Sequence, residues 1–240
     1  MADFNIAYPK TVSNEGYYVS EAYWRAHGDT QSGETYMGID RRANPNWAGW
    51  AIIDKYKAQN GTPEYNFRFP VSLGLEDLVK QKAKTQYWDS IQGDKIANQS
   101  VAEMLFEQVW GGYGGIKRVQ QVMNTMLPAP IGVDGSVGKD TLAAINSLPA
   151  EELFDKIKAD RQQWINTVGA KYSPKDVGGW LSRLNRFTFS DLTDYVNTES
   201  QKVQTVIRKN PIVLVMGTVL IIAGIGLFYK YRQAATQVNQ

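Results

Sequence analysis

The chain has 240 residues, 43% of them hydrophobic and 12% aromatic, with 26 basic and 24 acidic side chains and a formal net charge of +2. It has no cysteine and a single histidine, His27, which excludes disulfides, thiolate zinc sites, cysteine nucleophiles and multi-histidine metal centres. The near-balanced charge is not typical of nucleic-acid binding, and a hydrolase of this composition would use carboxylates, or a serine or threonine nucleophile without a histidine base.

The first predicted element is a short helix that ends beside an acidic residue. Phe4, Tyr8 and Val12 share one face at helical spacing, and Gly16, directly after Glu15, is a natural helix stop. We therefore expect Glu15 to lie at the end of this helix.

The rest of the first region is predicted to be helical apart from one polar stretch. Residues 27–38 carry glycines among polar side chains, which predicts a hairpin or an irregular loop. Apolar residues at helical spacing then predict helices over residues 50–59, 75–88 and 101–110. The first domain is predicted to span residues 1–110.

A second, smaller helical domain is predicted over residues 111–187. The sequence WGGYGG at residues 110–115 interrupts the helical pattern and marks the boundary. Helices are predicted over or within residues 116–126, 141–145 and 149–186, and after Gly178 and Gly179.

The last fifty residues are predicted to lead into a membrane. Residues 211–229 contain no charged side chain and, as a helix, would span about 28 Å, close to the thickness of a hydrocarbon core. Residues 188–210 are interpreted as a juxtamembrane spacer and residues 230–240 as a short polar tail. The chain is thus predicted to be a single-pass, tail-anchored protein, and the side on which its amino-terminal body lies stays open because the flanking basic residues are nearly balanced.

Several acidic and polar side chains are candidates for glycoside chemistry, which needs a protonated carboxylic acid and usually a second group that activates water or stabilises a cation. Glu15 at a helix end is the candidate acid. Asp29, Glu34 and Thr35, on the turn-rich stretch that follows, are candidate partners.

Three motifs in this region resemble the glycoside hydrolase family 108 muramidases. They are EGYYV from Glu15, SGETYMGI from Ser32 and ANPNWAGW from Ala43. The resemblance implies a lysozyme-like catalytic lobe with Glu15 as the catalytic acid. Asp29 is interpreted as the second catalytic residue, with Glu34 as its competitor, and Tyr17 and Ser32 stand where the family pattern has glycines.

A further motif, VDGSVGKDTLAAIN at residues 133–146, is similar to the helical peptidoglycan-binding module joined to this family. Asp134, Gly135, Gly138 and Thr141 match its pattern. The expected fold is therefore mainly α: a lysozyme-like catalytic lobe with a small hairpin, a small helical peptidoglycan-binding module and one transmembrane helix.

The function that the resemblance implies is an N-acetylmuramidase that cleaves the β-1,4 bond between N-acetylmuramic acid and N-acetylglucosamine, without a metal or cofactor. Thr35, Tyr36, Glu34 and Tyr17 are the expected substrate-binding residues. A lytic transglycosylase and a noncatalytic membrane-anchored cell-wall-binding protein are the alternatives. The expected partners are peptidoglycan, the bacterial inner membrane and a secretion or phage-like injection apparatus, in a bacterium or phage.

Overall fold

The computed structural model describes residues 1–172 and 174–190. Residues 1–189 form one compact unit, so the predicted domain boundary after residue 110 lies inside it. Within the described ranges, no helix combines the length and the hydropathy that crossing a bilayer requires. The predicted transmembrane helix and tail, and the spacer from residue 191 onward, lie outside the described residues.

The described chain is mainly helical, with one small sheet near its start. Helix α1 (Phe4–Val12) begins at Asp3, whose side chain accepts a hydrogen bond from the backbone N–H of Asn5. It is followed by β1 (Tyr18–Val19) and by helix α2 (Glu21–Ala26), which the apolar pattern did not predict.

Strands β2 (Thr35–Tyr36) and β3 (Ile39–Asp40) form a hairpin, and the sheet is antiparallel in the order β1-β2-β3. Tyr36 pairs with Tyr18 on one side and with Ile39 on the other. Met37 and Gly38 make the turn with φ angles of 46° and 81°, as a two-residue hairpin turn with left-handed residues requires.

The helices after the hairpin agree closely with the predicted ones. Helix α4 continues as a π-helical turn over Ala83–Trp88, and α8 continues in the same way over Ile165–Gly169. Gly178 and Gly179 lie inside α10 and do not precede it as predicted. The helices are α3 (Gly49–Asn60), α4 (Leu75–Lys82), α5 (Gln99–Trp110), α6 (Gly115–Asn124), α7 (Lys139–Ser147), α8 (Ala150–Trp164), α9 (Ala170–Tyr172) and α10 (Val177–Asn185).

Helix α5 is the centre of the larger hydrophobic core. Its residues from Gln99 to Gln108 are all buried, because α1, α6 and α8 pack around it. A second core lies under the hairpin and includes Tyr18, Tyr36 and Trp50. Glu15, which follows α1, is therefore positioned between the helical core and the hairpin.

Candidate functional site

Glu15 lies just beyond the end of α1, where its backbone N–H donates a hydrogen bond to the carbonyl of Val12. Its side chain is 18% exposed. Gly38, at the tip of the hairpin, is so near that a Cβ added there would meet Glu15 Cδ at 2.9 Å and the Trp110 ring at 3.0 Å. The hairpin turn therefore closes over Glu15.

The described residues hold one of the two Glu15 oxygens and leave the other without a donor. Oε1 accepts a hydrogen bond from Trp110 Nε1 at 2.9 Å and forms an ion pair with Arg183 Nη1 at 2.7 Å. Among the described residues, Oε2 has no hydrogen-bond donor. One oxygen thus fixes the carboxyl group, and the other remains available for a proton or a substrate.

Arg183 on α10 joins Glu15 to a second, fully buried carboxylate. Its Nε donates a hydrogen bond to Glu107 Oε1. Its Nη2 donates one to Glu107 Oε2, at 3.2 Å. Arg161, which is also fully buried, donates to Glu107 at 3.0 Å, and its guanidinium lies 3.6 Å from the centre of the Tyr113 ring. Two arginines thereby contact the buried Glu107, and one of them, Arg183, also contacts Glu15.

The charge on Arg183 is stabilised in this setting. Burial opposes the charged form, but the hydrogen bond and charge of Glu107, together with the charge of Glu15, outweigh burial and raise the pKa of Arg183 above its ordinary value. Arg183 is therefore a permanent cation that holds the candidate acid from a helix near the end of the described chain. Sequence spacing offers no signal for this contact between residues 168 positions apart.

Asp29 lies on the loop between α2 and the hairpin, and this loop holds both of its oxygens. Oδ1 accepts hydrogen bonds from the backbone N–H groups of Gln31 and Ser32, at 2.8 and 3.0 Å, and Oδ2 accepts one from the Ser32 hydroxyl at 2.8 Å. The backbone and hydroxyl bonds from Ser32, followed by the bond from Gln31, hold the pKa of Asp29 below its usual range. Asp29 is therefore a carboxylate at neutral pH.

Glu34 is almost buried, with 7% of its surface exposed. It accepts hydrogen bonds from the Tyr18 hydroxyl, Lys57 Nζ and Arg41 Nη1, each at 2.6 Å. Burial opposes ionisation, but the bonds from Lys57, Tyr18 and Arg41 outweigh it and lower the pKa of Glu34. These contacts indicate a role in joining the sheet to α3.

The predicted substrate-binding residues differ in their surroundings. Thr35 accepts a hydrogen bond from Trp24 Nε1 at 2.9 Å and donates one to the carbonyl of Gly33. Tyr17 is partly exposed, with the Arg68 guanidinium 5.3 Å from its ring centre. Tyr36 is fully buried and packs edge-on against Phe69, so the structure places it in the core and not on a substrate-facing surface.

Several residues of the motif predicted for the peptidoglycan-binding module form hydrogen bonds with one buried side chain, that of Gln120. Gln120 Nε2 donates to Asp134 Oδ1 at 2.8 Å and to Thr141 Oγ1 at 3.1 Å, and Gln120 Oε1 accepts from the Gly135 N–H at 2.8 Å. Gly135 has a φ of 89°, which favours glycine. These residues therefore shape the turn before α7, which accounts for the motif by folding alone.

Comparisons with known proteins agree with this architecture. Residues 8–112 match the model of the family described as Glycosyl hydrolase 108. The comparison with curated proteins finds no match. Among solved structures, the chain is similar to the one titled "Structure of Brucella abortus SagA", with 22% identity and a TM-score of 0.51 over 77% of this chain and 90% of that chain. At that identity the likeness shows the fold, and the family match includes Glu15, Asp29 and Glu34 but not Arg183.

Proposed function

Because residues 8–112 match the Glycosyl hydrolase 108 family and the chain is accordingly a glycoside hydrolase, we propose that it is an N-acetylmuramidase. Its substrate would be the β-1,4 bond between N-acetylmuramic acid and N-acetylglucosamine in peptidoglycan. The observation that carries the proposal is the asymmetry of Glu15, whose Oε1 is fixed by Trp110 and Arg183 while Oε2 has no donor among the described residues.

In the proposed reaction Glu15 is the general acid. Its Oε2 carries the proton and donates it to the glycosidic oxygen as the bond from that oxygen to the anomeric carbon breaks. Water then adds to the anomeric carbon and gives up a proton to a second carboxylate. Trp110 and Arg183 keep Oε1 in place, so Oε2 is the oxygen presented to the substrate.

Asp29 is our choice for the second carboxylate. Its low pKa leaves it ionised at neutral pH, as a base or a cation-stabilising group must be, and it is more exposed than Glu34. Glu34 is the competitor, but it is buried and ion-paired with Arg41 and Lys57, whereas the three hydrogen bonds of Asp29 come from neutral groups of its own loop. Thr35, next to Glu34, and Tyr17, whose carbonyl accepts a hydrogen bond from the Met37 N–H of the hairpin turn, are proposed to contact the sugar.

The product ends test the reaction most sharply. Purified peptidoglycan is digested by the full-length protein in ¹⁸O-labelled water, beside the Glu15→Gln variant, and the released ends are read by mass spectrometry. Hydrolysis places one ¹⁸O in each new reducing muramic acid end, and we expect these ends to be lost with Glu15→Gln. Anhydro ends without label would replace the proposal with a lytic transglycosylase, and binding without release would replace it with a noncatalytic wall-binding protein.

The location of the protein forms a separate proposal. The uncharged sequence of residues 211–229 supports a single membrane-spanning anchor in the bacterial inner membrane, where the enzyme would open the wall for a secretion or phage-like injection apparatus. Membranes from cells that make the full chain should retain it after an alkaline carbonate wash. Complete release into the wash would contradict the anchor.

A further inference from the structure

A groove of about 410 Å³ lies between the segment that precedes α3 and one face of α4 with its π-helical turn. This volume is within the range of small-molecule binding sites, roughly 300–1,000 Å³. Its walls carry amide groups and one indole ring, which are suited to hydroxyl and acetamido groups. The polar or aromatic residues that matter here are Asn44, Asn46 and Trp47 on one wall, and Gln81, Lys82 and Gln86 on the other.

Lys82 is an unusual residue for such a groove, because only 7% of its surface is exposed. Its ammonium group donates to the side-chain carbonyl of Gln86 and lies 5.9 Å from the centre of the Tyr87 ring. None of the described carboxylates forms an ion pair with it. Burial, the one cause of the shift, lowers the pKa of Lys82. A lysine with only neutral partners gains more from an incoming anion than an exposed lysine does.

The groove is connected to the candidate acid through aromatic contacts. Tyr87, beside Lys82, packs on Trp110 with ring centres 4.8 Å apart, and Trp110 donates its hydrogen bond to Glu15. On the opposite wall, Trp47 stacks on Tyr36, which directly precedes the hairpin turn that faces Glu15. Packed side chains therefore link both walls to the surroundings of Glu15.

We propose that this groove is a substrate subsite in which Lys82 binds a carboxylate carried by the peptidoglycan chain. The inference depends on the proposed function, since it takes the glycan as the ligand. The carboxylate belongs either to the lactyl group of an N-acetylmuramic acid without a stem peptide or to the stem peptide itself. Asn44, Asn46 and Gln81 line the groove where they would bond the sugar, and Trp47 offers it a flat apolar surface.

Binding is measured by calorimetry on the full-length Glu15→Gln protein, which avoids turnover, with and without Lys82→Gln. Three glycan probes of equal length are used: one without stem peptides and with free lactyl carboxylates, one with stem peptides, and a chitooligosaccharide without any carboxylate. We expect Lys82→Gln to weaken binding of at least one acidic glycan by about tenfold, the loss of one charge-assisted contact, and to leave the chitooligosaccharide unaffected. The acidic glycan whose binding is weakened identifies the source of the carboxylate.

Two matched variants separate charge recognition from misfolding. Lys82→Arg keeps the charge and should retain most of the affinity for the acidic glycan. Lys80→Gln removes an exposed lysine from the same helix, outside the groove, and should leave every affinity unchanged. Equal weakening of all three probes by Lys82→Gln, or no weakening of any, would overturn the subsite.

The subsite and the proposed function can be refuted independently of each other. If the wild-type protein releases no reducing ends while Lys82→Gln still weakens only the acidic glycan, hydrolysis is wrong and the subsite stands. If hydrolysis is confirmed and the three affinities do not depend on Lys82, the subsite alone is wrong.

Discussion

Glu15 and Glu34 are both partly or wholly buried carboxylates beside cations, yet their surroundings differ. Glu34 accepts hydrogen bonds on both oxygens, from Tyr18 and Lys57 on one and from Arg41 on the other. Glu15 accepts two bonds on a single oxygen and is more exposed. Glu34 is held on both oxygens by cations, which favours a role in the fold, whereas Glu15 keeps one oxygen that has no donor among the described residues and can exchange a proton with a substrate.

The two sites also differ in how far along the chain their partners lie. Tyr18, Arg41 and Lys57 all lie within 23 residues of Glu34. The partners of Glu15 are 95 and 168 residues away, on α5 and α10. The structural cluster is thus local, and the candidate active site forms only when the two ends of the compact unit pack together.

Among variants of the residues around Glu15 and Glu34, the largest effect is expected from the loss of Arg183. Arg183→Ala removes the ion pair from Glu15 and leaves Glu107 with Arg161 as its remaining arginine partner, so we expect kcat on peptidoglycan to fall about 100-fold as Glu15 loses its position. The free energy of unfolding should fall by about 3 kcal/mol, because a buried ion pair is broken. Steady-state kinetics and denaturant unfolding measure the two changes.

Two variants control for the Arg183 prediction. Arg183→Lys keeps the charge and should restore part of the lost kcat. Arg186→Ala removes an exposed arginine that follows α10 and bonds Asn14, and it should change kcat by less than about twofold. An Arg183→Ala enzyme that keeps its kcat while folded would show that Arg183 does not position Glu15.

A smaller effect is expected from the hairpin turn. Gly38 and Gly61 have φ angles of 81° and 80°, but a Cβ on Gly38 would press on Glu15, whereas one on Gly61 meets nothing within 4 Å. Both Gly→Ala variants should lose about 1 kcal/mol of stability from the left-handed backbone. Only Gly38→Ala should also lose kcat, by about tenfold, and equal kcat in the two variants would contradict the closeness of the turn to Glu15.

The smallest expected effect concerns the pH dependence of stability. The folded pKa of Glu34 lies below its ordinary value, so its contribution to stability is present above that ordinary value and is lost as pH falls through the folded pKa. Urea unfolding between pH 7 and pH 3 should therefore show a shallower loss of stability for Glu34→Gln than for the wild type. Parallel curves would show that Glu34 is not stabilised as an anion.

Much of the helical fold could be predicted from apolar spacing, because a helix of ten or more residues repeats its buried face several times. Helices α3 and α5 were expected over residues 50–59 and 101–110 and lie at Gly49–Asn60 and Gln99–Trp110. Short elements were not predictable in this way. Strand β2 has two residues, too few for an alternating pattern to show that Tyr36 faces inward.

The candidate site was predictable only in part. Glu15 was identified from a helix stop and a resemblance, both of which are local properties of the sequence. Trp110 and Arg183, which hold its Oε1, were not predicted as partners, because nothing in local spacing relates residues so far apart. Asp29 stays a prediction for the second catalytic group, since the hydrogen bonds of its carboxylate all come from its own loop.

The central claim is that Glu15 is the catalytic acid and Glu34 a structural carboxylate. The most direct test is the rate of release of reducing ends from peptidoglycan by full-length Glu15→Gln and Glu34→Gln, each corrected for its folded fraction. We predict a loss of about 10²- to 10⁴-fold for Glu15→Gln and nearly wild-type rates for folded Glu34→Gln. Retained activity in Glu15→Gln, or an inactive but folded Glu34→Gln, would contradict the claim.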